Sequence, residues 1–234
     1  MTEKRPIALS WSGGKDSSLA LAALRSSDDF EPVALLTSIT QEYDRVSIHG
    51  VRRELLMAQA DSLGLPLYEV TLHAASSNDA YEAAFLRGVA EMRRALPRVA
   101  HMAFGDLFLE DVRAYRERLM LGTGLSPVFP LWERDTTSLA REFVDAGFVA
   151  HLVCVDTTAL DAAFAGRKYD HALLGELPAS VDQCGERGEF HTFVSGGPIF
   201  RRPVPVDCGE IVLREERFAY CDLLPASARA GAAT

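Results

Sequence analysis

The chain has 234 residues, 48% of them hydrophobic and 24% charged, with a formal net charge of −9. That length can bury one large core or two modest ones, and the composition is ordinary for a soluble globular protein. The acidic balance argues against a nucleic-acid partner, which asks for a basic face. No apolar run reaches the roughly 18 residues of a membrane span and no basic-then-apolar leader opens the sequence, so the cytoplasm is the expected location.

Residues 6–9, Pro-Ile-Ala-Leu, read as a first strand, and residues 19–24, Leu-Ala-Leu-Ala-Ala-Leu, as the helix after it. Between them stands Ser10-Trp11-Ser12-Gly13-Gly14-Lys15-Asp16-Ser17-Ser18. A strand, a glycine-rich turn and a helix N-terminus make an anion site. Gly13 and Gly14 let the backbone turn tightly and approach a ligand, and the amides of the first helical turn face it with the positive end of the dipole behind them. Phosphate is the natural guest. A Walker A loop would need Ser or Thr after the lysine, where Asp16 stands, and a dinucleotide fingerprint would need Gly-x-Gly-x-x-Gly. The alternative is a helix start without a ligand, capped by Ser12 or Ser17, with Lys15 in solvent.

Alternation continues with a strand at 33–38, a helix at 51–63 ended by Gly64, a strand at 67–72 after Pro66, a helix at 78–96 closed by Pro97, and a strand at 99–104. The pattern predicts an α/β fold, a parallel sheet covered by helices. Such sheets bind ligands at the carboxyl ends of their strands, so the loop at 10–17, the segment 37–50 and Gly105-Asp106 should converge on one cleft. There Leu36 and Thr37, at the end of the second strand, either meet a ligand through their backbone groups or are plain strand residues. Gly105 permits close approach, and Asp106 can hold a metal ion or a ribose, or cap the next helix. In that helix Arg113 and Glu117 form an i, i+4 pair.

Past Pro127-Val128-Phe129-Pro130-Leu131-Trp132 the character changes. A helix at 136–146 leads through Gly147 into a strand at 148–155, and a late hairpin is expected from 210–214 and 217–221 around Glu215-Glu216. Residues 1–130 are therefore expected to form the nucleotide-binding domain, 131–225 a smaller C-terminal α+β substrate domain, and 226–234 a disordered tail. Cys154, Cys184, Cys208 and Cys221 lack the spacing of a zinc ribbon or a redox motif, and read as reduced thiols.

Ser12-Gly13-Gly14-Lys15-Asp16-Ser17 resembles the pyrophosphate loop of the ATP pyrophosphatases, which cleave ATP between its α and β phosphates and adenylate a substrate. Three further blocks narrow the resemblance: Phe104-Gly105-Asp106 through Arg113-Ala114-Tyr115-Arg116-Glu117, Phe129-Pro130-Leu131-Trp132, and Cys184-Gly185-Glu186-Arg187-Gly188-Glu189-Phe190-His191-Thr192-Phe193. In this order they are similar to the diphthine-ammonia ligase family, over about residues 6–205. The resemblance implies a nucleotide-binding α/β domain with an attached C-terminal domain, and ATP-dependent amidation. Relatives acting on diphthine usually carry an aromatic-rich segment where this chain has Val46-Ser47-Ile48-His49-Gly50, and Gly-Glu-x-Gly-Glu-Tyr-Glu-Thr where it has Phe190-His191-Thr192. It resembles a bacterial-type branch, and since bacteria lack diphthamide the ligase chemistry carries over ahead of the substrate.

The resemblance assigns ATP and Mg²⁺ as cofactors. Ser10, Ser12, Gly13, Gly14, Lys15, Asp16 and Ser17 would hold pyrophosphate, with Leu36, Thr37, Gly105 and Asp106 completing the nucleotide site and Asp16 holding Mg²⁺. The loop Gly185-Glu186-Arg187-Gly188-Glu189 would bind the acceptor, Glu186 and Glu189 taking up the proton of the incoming nitrogen. An acidic surface turn is the alternative. His49, His191 and Thr192 are further substrate-site candidates. The catalytic set is then Lys15, Asp16, Glu186 and Glu189. The acceptor would be a carboxylate of a small molecule or protein side chain, and the donor ammonia or an amine, with a separate amidotransferase as one source. A homodimer is a reasonable expectation at this size. Two other readings keep the same loop: a tRNA-modifying ATP pyrophosphatase, which asks for a basic surface and paired cysteines, and an ATP-binding sensor of the universal-stress type, which leaves the late glycine-glutamate block without a role.

Overall fold

The computed structural model describes residues 3–47, 49–74 and 76–226. Strand β1 (Arg5–Ser10) runs into the glycine turn and helix α1 (Lys15–Ser26), which buries Leu19, Ala20, Leu21 and Leu24. Strand β2 (Phe30–Thr40) is longer than its apolar run predicts and contains Pro32. Having no N–H, proline breaks the ladder, and the register with β1 shifts there: Ile7 pairs with Pro32, then Ala8 with Ala34.

A short return strand β3 (Arg45–Val46) leads to helix α2 (Arg53–Leu63), which ends where Gly64 turns left-handed at φ +69° and donates to the Ala60 and Asp61 carbonyls. Strand β4 (Leu67–Leu72) follows, then helix α3 (Asn78–Ala95), whose N-cap Ser77 accepts from the Ala80 N–H. Next come strand β5 (His101–Ala103), helix α4 (Glu110–Met120) and strand β6 (Ser126–Val128). In the first sheet β4, β2, β1, β5 and β6 lie side by side in parallel. The antiparallel β3 takes the edge of β2 beyond the end of β1, pairing with Ile39 and Thr40.

The chain moves outward from β1 through β2 to β4, then returns to β5 on the other side of β1. The switch of direction therefore falls between β1 and β5, so the loops leaving their carboxyl ends face each other, as ligand sites of open α/β sheets require. Gly105 abuts the start of α1: a Cβ there would lie 3.0 Å from the Asp16 carbonyl carbon and 3.1 Å from the Ser17 nitrogen.

Helix α5 (Thr136–Asp145), capped by Asp135, leads into strand β7 (Val149–Asp156) and, after a 3-10 turn at Ala162–Phe164, into helix α6 (His171–Glu176). Strands β8 (Phe190–Gly196), β9 (Val206–Arg214) and β10 (Phe218–Pro225) complete an antiparallel sheet in the order β8-β7-β10-β9. The hairpin turns at Glu215 and Glu216, both with positive φ, as a tight primed turn demands. Of the expected tail only Ala226 falls among the described residues.

One apolar cluster joins the two sheets, running from Ile7, Leu9 and Trp11 through Leu55, Leu139 and Phe143 to Phe190, Phe193 and Leu223. A second, containing Ala8, Leu36, Val70, Phe85 and Met102, fills the space under α3 on the opposite face of the first sheet. Among the described residues, no helix is long and apolar enough to cross a membrane.

Candidate active site

The glycine turn is braced by the second sheet and by α2. Gly13 has φ +79°, and its carbonyl accepts from the Val194 N–H (2.9 Å) on β8 and from Gln59 Nε2 (3.0 Å). Gln59, fully buried, also donates to the Val194 carbonyl (2.6 Å) and accepts from Trp11 Nε1 (2.9 Å). Its amide thus spends both ends fixing the turn. Gly14 is the N-cap of α1 and gives that helix no side-chain cap of its own. The cap comes instead from Thr192 on β8, whose hydroxyl accepts from the Lys15 N–H (3.0 Å). A Cβ on Gly14 would stand 3.0 Å from the Thr192 carbonyl, so glycine here is what lets β8 come so close. Ser12 Oγ accepts from the Gly14 N–H and lies 3.3 Å from Ser17 Oγ, while the Ser17 and Ser18 hydroxyls donate to the Gly14 carbonyl.

Lys15 is buried, its side chain 3% exposed, and its Nζ donates to both oxygens of Asp16 at 2.7 and 2.8 Å. Burial pulls its pKa down, yet the Asp16 carboxylate, with Cys184 and Glu186 nearby, outweighs that and holds it above the usual lysine value. Asp106 approaches from the end of β5. Helix α4 starts only at Glu110, with Leu109 at its N-cap, so Asp106 does not cap it. Its Oδ2 is buried and faces Arg116 Nε at 3.5 Å, an ion pair without hydrogen-bond geometry. Burial raises the Asp106 pKa against the pull of Arg116, and neighbouring Asp16 adds to the rise.

The late loop is stitched to itself. Asp182 Oδ1 accepts from the N–H groups of Cys184 (2.8 Å) and Glu186 (3.3 Å), and Oδ2 accepts from the Thr136 hydroxyl (2.6 Å). Glu189 is buried, with Oε1 accepting from the Asp182 N–H and Oε2 from the Arg187 N–H, each at 2.9 Å. Gly185 and Gly188, at φ +68° and +88°, make the turns between them. Glu186 differs: it leaves the loop and accepts from the Leu107 N–H (2.8 Å), directly after Asp106. Burial pushes its pKa up to about 7; the Leu107 N–H and Lys15 oppose the rise, Asp16 and Asp106 add to it. Lys15, Asp16, Asp106 and Glu186 therefore form one electrostatic unit of one cation and three carboxylates.

His49 and His191 stack with ring centroids 4.4 Å apart. Burial, aided by Lys15, lowers His191 to about 4, and burial with His191 and Lys15 beside it puts His49 well below the usual histidine value. Both are neutral at pH 7, and His49 Nδ1 is buried without a partner in the structure. Strand β10 holds this segment in place. Asp222 takes Arg45 and Arg52 at 2.8 and 2.7 Å, and the Tyr220 ring fills the space a Cβ on Gly50 would need. Leu36 gives its carbonyl to the Trp11 N–H, and Thr37, the first residue of β2 beyond the end of β1, has a buried hydroxyl without a hydrogen-bond partner.

The structure thus brings the loop at 10–17, Asp106, Glu186, Thr192 and the two histidines to one edge. Glu189 stands apart, turned into its own loop. Sequence reasoning missed Gln59, Arg116 and Asp182. Gln59 carried a readable signal, a polar residue within the buried face Leu55, Leu56, Ala60 and Leu63 of α2.

A glycine-turned loop at a helix N-terminus, set at a topological switch point beside a buried lysine, is the geometry of an anion site. Comparison with known proteins makes this specific. Residues 4–127 match the family model described as the diphthamide synthase N-terminal domain, and residues 135–226 the diphthamide synthase C-terminal domain. Among curated relatives, a diphthine–ammonia ligase of Danio rerio is 26% identical over 233 residues, covering 88% of each chain. One of Homo sapiens is 25% identical over 233 residues, 88% of this chain and 85% of its own. The chain belongs to the diphthine–ammonia ligase family.

Proposed function

We propose that the protein activates a carboxylate with ATP and amidates it, releasing AMP and pyrophosphate. The observation that carries this reading is the meeting of the glycine-turned loop, buried Lys15 and Glu186 at one sheet edge. The acceptor carboxylate oxygen attacks the α phosphorus, and the bond from that phosphorus to the oxygen bridging the α and β phosphates breaks, that oxygen leaving with pyrophosphate. The Lys15 side chain and the Asp16 and Ser17 amides of the first turn of α1 balance the charge that builds on the leaving group, and the hydroxyls of Ser12 and Ser17 support it. Ammonia or an amine then attacks the activated carbonyl carbon, AMP leaves, and Glu186 as carboxylate takes the surplus proton from nitrogen. A base with a pKa near the working pH suits that step.

Among the described residues, no cluster of three or more His, Cys, Asp or Glu side chains is arranged to hold a metal alone. Mg²⁺ is commonly held by one or two carboxylates together with substrate phosphates. Asp16, partly exposed, and Asp106, with its poorly satisfied buried oxygen, suit that arrangement, so these two would hold the ion against the nucleotide, where it would neutralise phosphate charge. Leu36 and Thr37 line the adenine side. Glu189 acts by shaping the loop that aims Glu186. His49, His191 and Thr192 form a neutral wall over the loop. On this reading residues 1–130 carry the nucleotide half and 131–225 the acceptor half of a cytoplasmic enzyme, supplied with ammonia or an amine either free or by a separate amidotransferase.

An assay of candidate carboxylic acids with ATP and ammonium tests the reading: AMP and pyrophosphate should form in equal amounts with the amide. Release of ADP and phosphate would overturn it.

A further inference from the structure

Strand β9 closes its sheet with one side open. The strand order is β8-β7-β10-β9, and among the described residues no strand pairs with the other side of β9. Which way its main chain bonds follows from the hairpin turn. The Arg214 carbonyl accepts from the Arg217 N–H, so Arg214 faces β10. From there the ladder runs unshifted through Leu213 with Ala219, Val212 with Tyr220 and Ile211 with Cys221, and the bulge comes only beyond Cys221. Main-chain groups of an antiparallel strand alternate between its two sides. Val212 therefore faces β10 as Arg214 does, and the N–H and C=O groups of Leu213 and Ile211 point out of the open edge.

The side chains of this stretch are as uneven as its backbone. Leu213 and Ile211 share a face with Ala219, Cys221 and Leu223, which are buried in the cluster joining the two sheets, yet they are 56% and 49% exposed. The core runs out to the edge and stops uncovered there. Glu210 and Arg214 stand two residues to either side of Val212, on the opposite face. Among the described residues neither has an ion-pair partner; the ion pairs of this hairpin belong to Asp222, Asp156 and Arg217. Opposite charges spaced evenly about one residue become self-complementary when the strand meets an antiparallel copy of itself centred on that residue.

Such a pairing about a two-fold axis at Val212 sets Glu210 against Arg214 of the second copy, and Arg214 against its Glu210. Ile211 then meets Leu213 of the second copy on the apolar face. These are the residues whose main-chain groups point outward, so each such pair exchanges two backbone hydrogen bonds. The charged pairs fall at the positions without backbone bonds, where facing side chains lie closest. An axis at Ile211 or at Leu213 would instead set Val212 against Glu210 or against Arg214, and the charges would go unmatched. The bulge at one end and the turn at Glu215 at the other confine the match to residues 210–214.

We propose that the open edge of β9 is a self-association surface, on which two copies of this chain pair β9 to β9 about an axis at Val212 and join their four-stranded sheets into one. The partner it fits is a second copy because the charge pattern and the outward backbone groups agree on a single self-paired register. The pairing is independent of the ligase chemistry, whose loop rests on β8 at the far edge of the same sheet. Five residues a side make a small contact, so the dimer should dissociate in the micromolar range.

Sedimentation velocity of the full chain over a concentration series tests this. The wild type should pass from monomer to dimer as concentration rises. Glu210→Arg and Arg214→Glu should each raise the dissociation constant about tenfold or more, because each sets like charges against each other twice across the axis. The double reversal should restore most of the association, which a folding defect could not do. Val212→Cys in a Cys208→Ser background brings two thiols together on the axis and should give a disulfide-linked dimer on mild oxidation. A wild type that stays monomeric up to about 1 mM would overturn the inference. So would a dimer that the single reversals leave unchanged, a double reversal no tighter than the single ones, or a dimer that Val212→Cys does not cross-link.

Discussion

The two glycine-bearing loops of the site are built from similar residues and do opposite things. The loop at 12–17 leaves its fixing to distant partners: Gln59 on α2, and Thr192 and Val194 on β8. The loop at 182–189 fixes itself, with the carboxylates of Asp182 and Glu189 absorbing its amides. A loop that must offer N–H groups to a ligand can spend few of them internally; the Gly14 N–H goes to the loop's own Ser12 hydroxyl, and the rest of its rigidity comes from elsewhere. A loop that must aim one side chain can be closed on itself, and Glu186 is the side chain left over.

Mutations at the two loops should separate sharply. Lys15→Ala should show the largest effect: if Lys15 balances charge on departing pyrophosphate, the barrier rises by about 3 kcal/mol or more, seen as loss of AMP formation in a folded protein. Glu186→Gln should come next, lowering amide formation on the order of 100-fold with ATP binding retained, since the glutamine cannot accept the proton. In the wild type the base form of Glu186 appears as pH rises through about 7, so the rate should climb there, and the variant should lose that limb. The stability linkage runs the other way. Because folding raises this pKa from 4.5, its contribution is full below pH 4.5 and is lost as pH rises through about 7.

Smaller effects probe the scaffolding. Glu189→Ala leaves the Asp182 and Arg187 N–H groups without their acceptors and should destabilise the fold by about 1–3 kcal/mol, measured by denaturant unfolding. A larger loss of turnover than of stability in that variant would place Glu189 in the chemistry rather than the scaffold. Thr192→Val removes the borrowed cap of α1 and should cost about 1 kcal/mol in the same experiment. Unchanged stability would mean that the Lys15 N–H finds another acceptor at once.

The parallel sheet and the phosphate loop were legible because their signals are local: an apolar strand, two glycines, then an alanine-leucine helix. Strand β8 was not. Most of its side chains are buried on both faces, so no alternation marks it, and its neighbour in space lies 177 residues away in the chain. The block at 184–193 stood out as a motif, yet the sequence could not reveal that Glu189 turns inward and Glu186 outward, because the partner of Glu186 is a backbone amide on a different element. Arg113 and Glu117 read as an ordinary helix-surface pair, and only the fold brings Trp132 under the arginine.

The dependence of the first loop on the last third of the chain sets an order for the protein's birth. A ribosome releases the phosphate loop early, before α2 has delivered Gln59 and long before β8 has delivered Thr192 and Val194. Until then the loop has glycines but no buttress, and the amides that would greet a nucleotide have no fixed direction. The half-made chain should therefore ignore ATP, and competence should arrive abruptly once residue 196 has cleared the exit tunnel and β8 can seat.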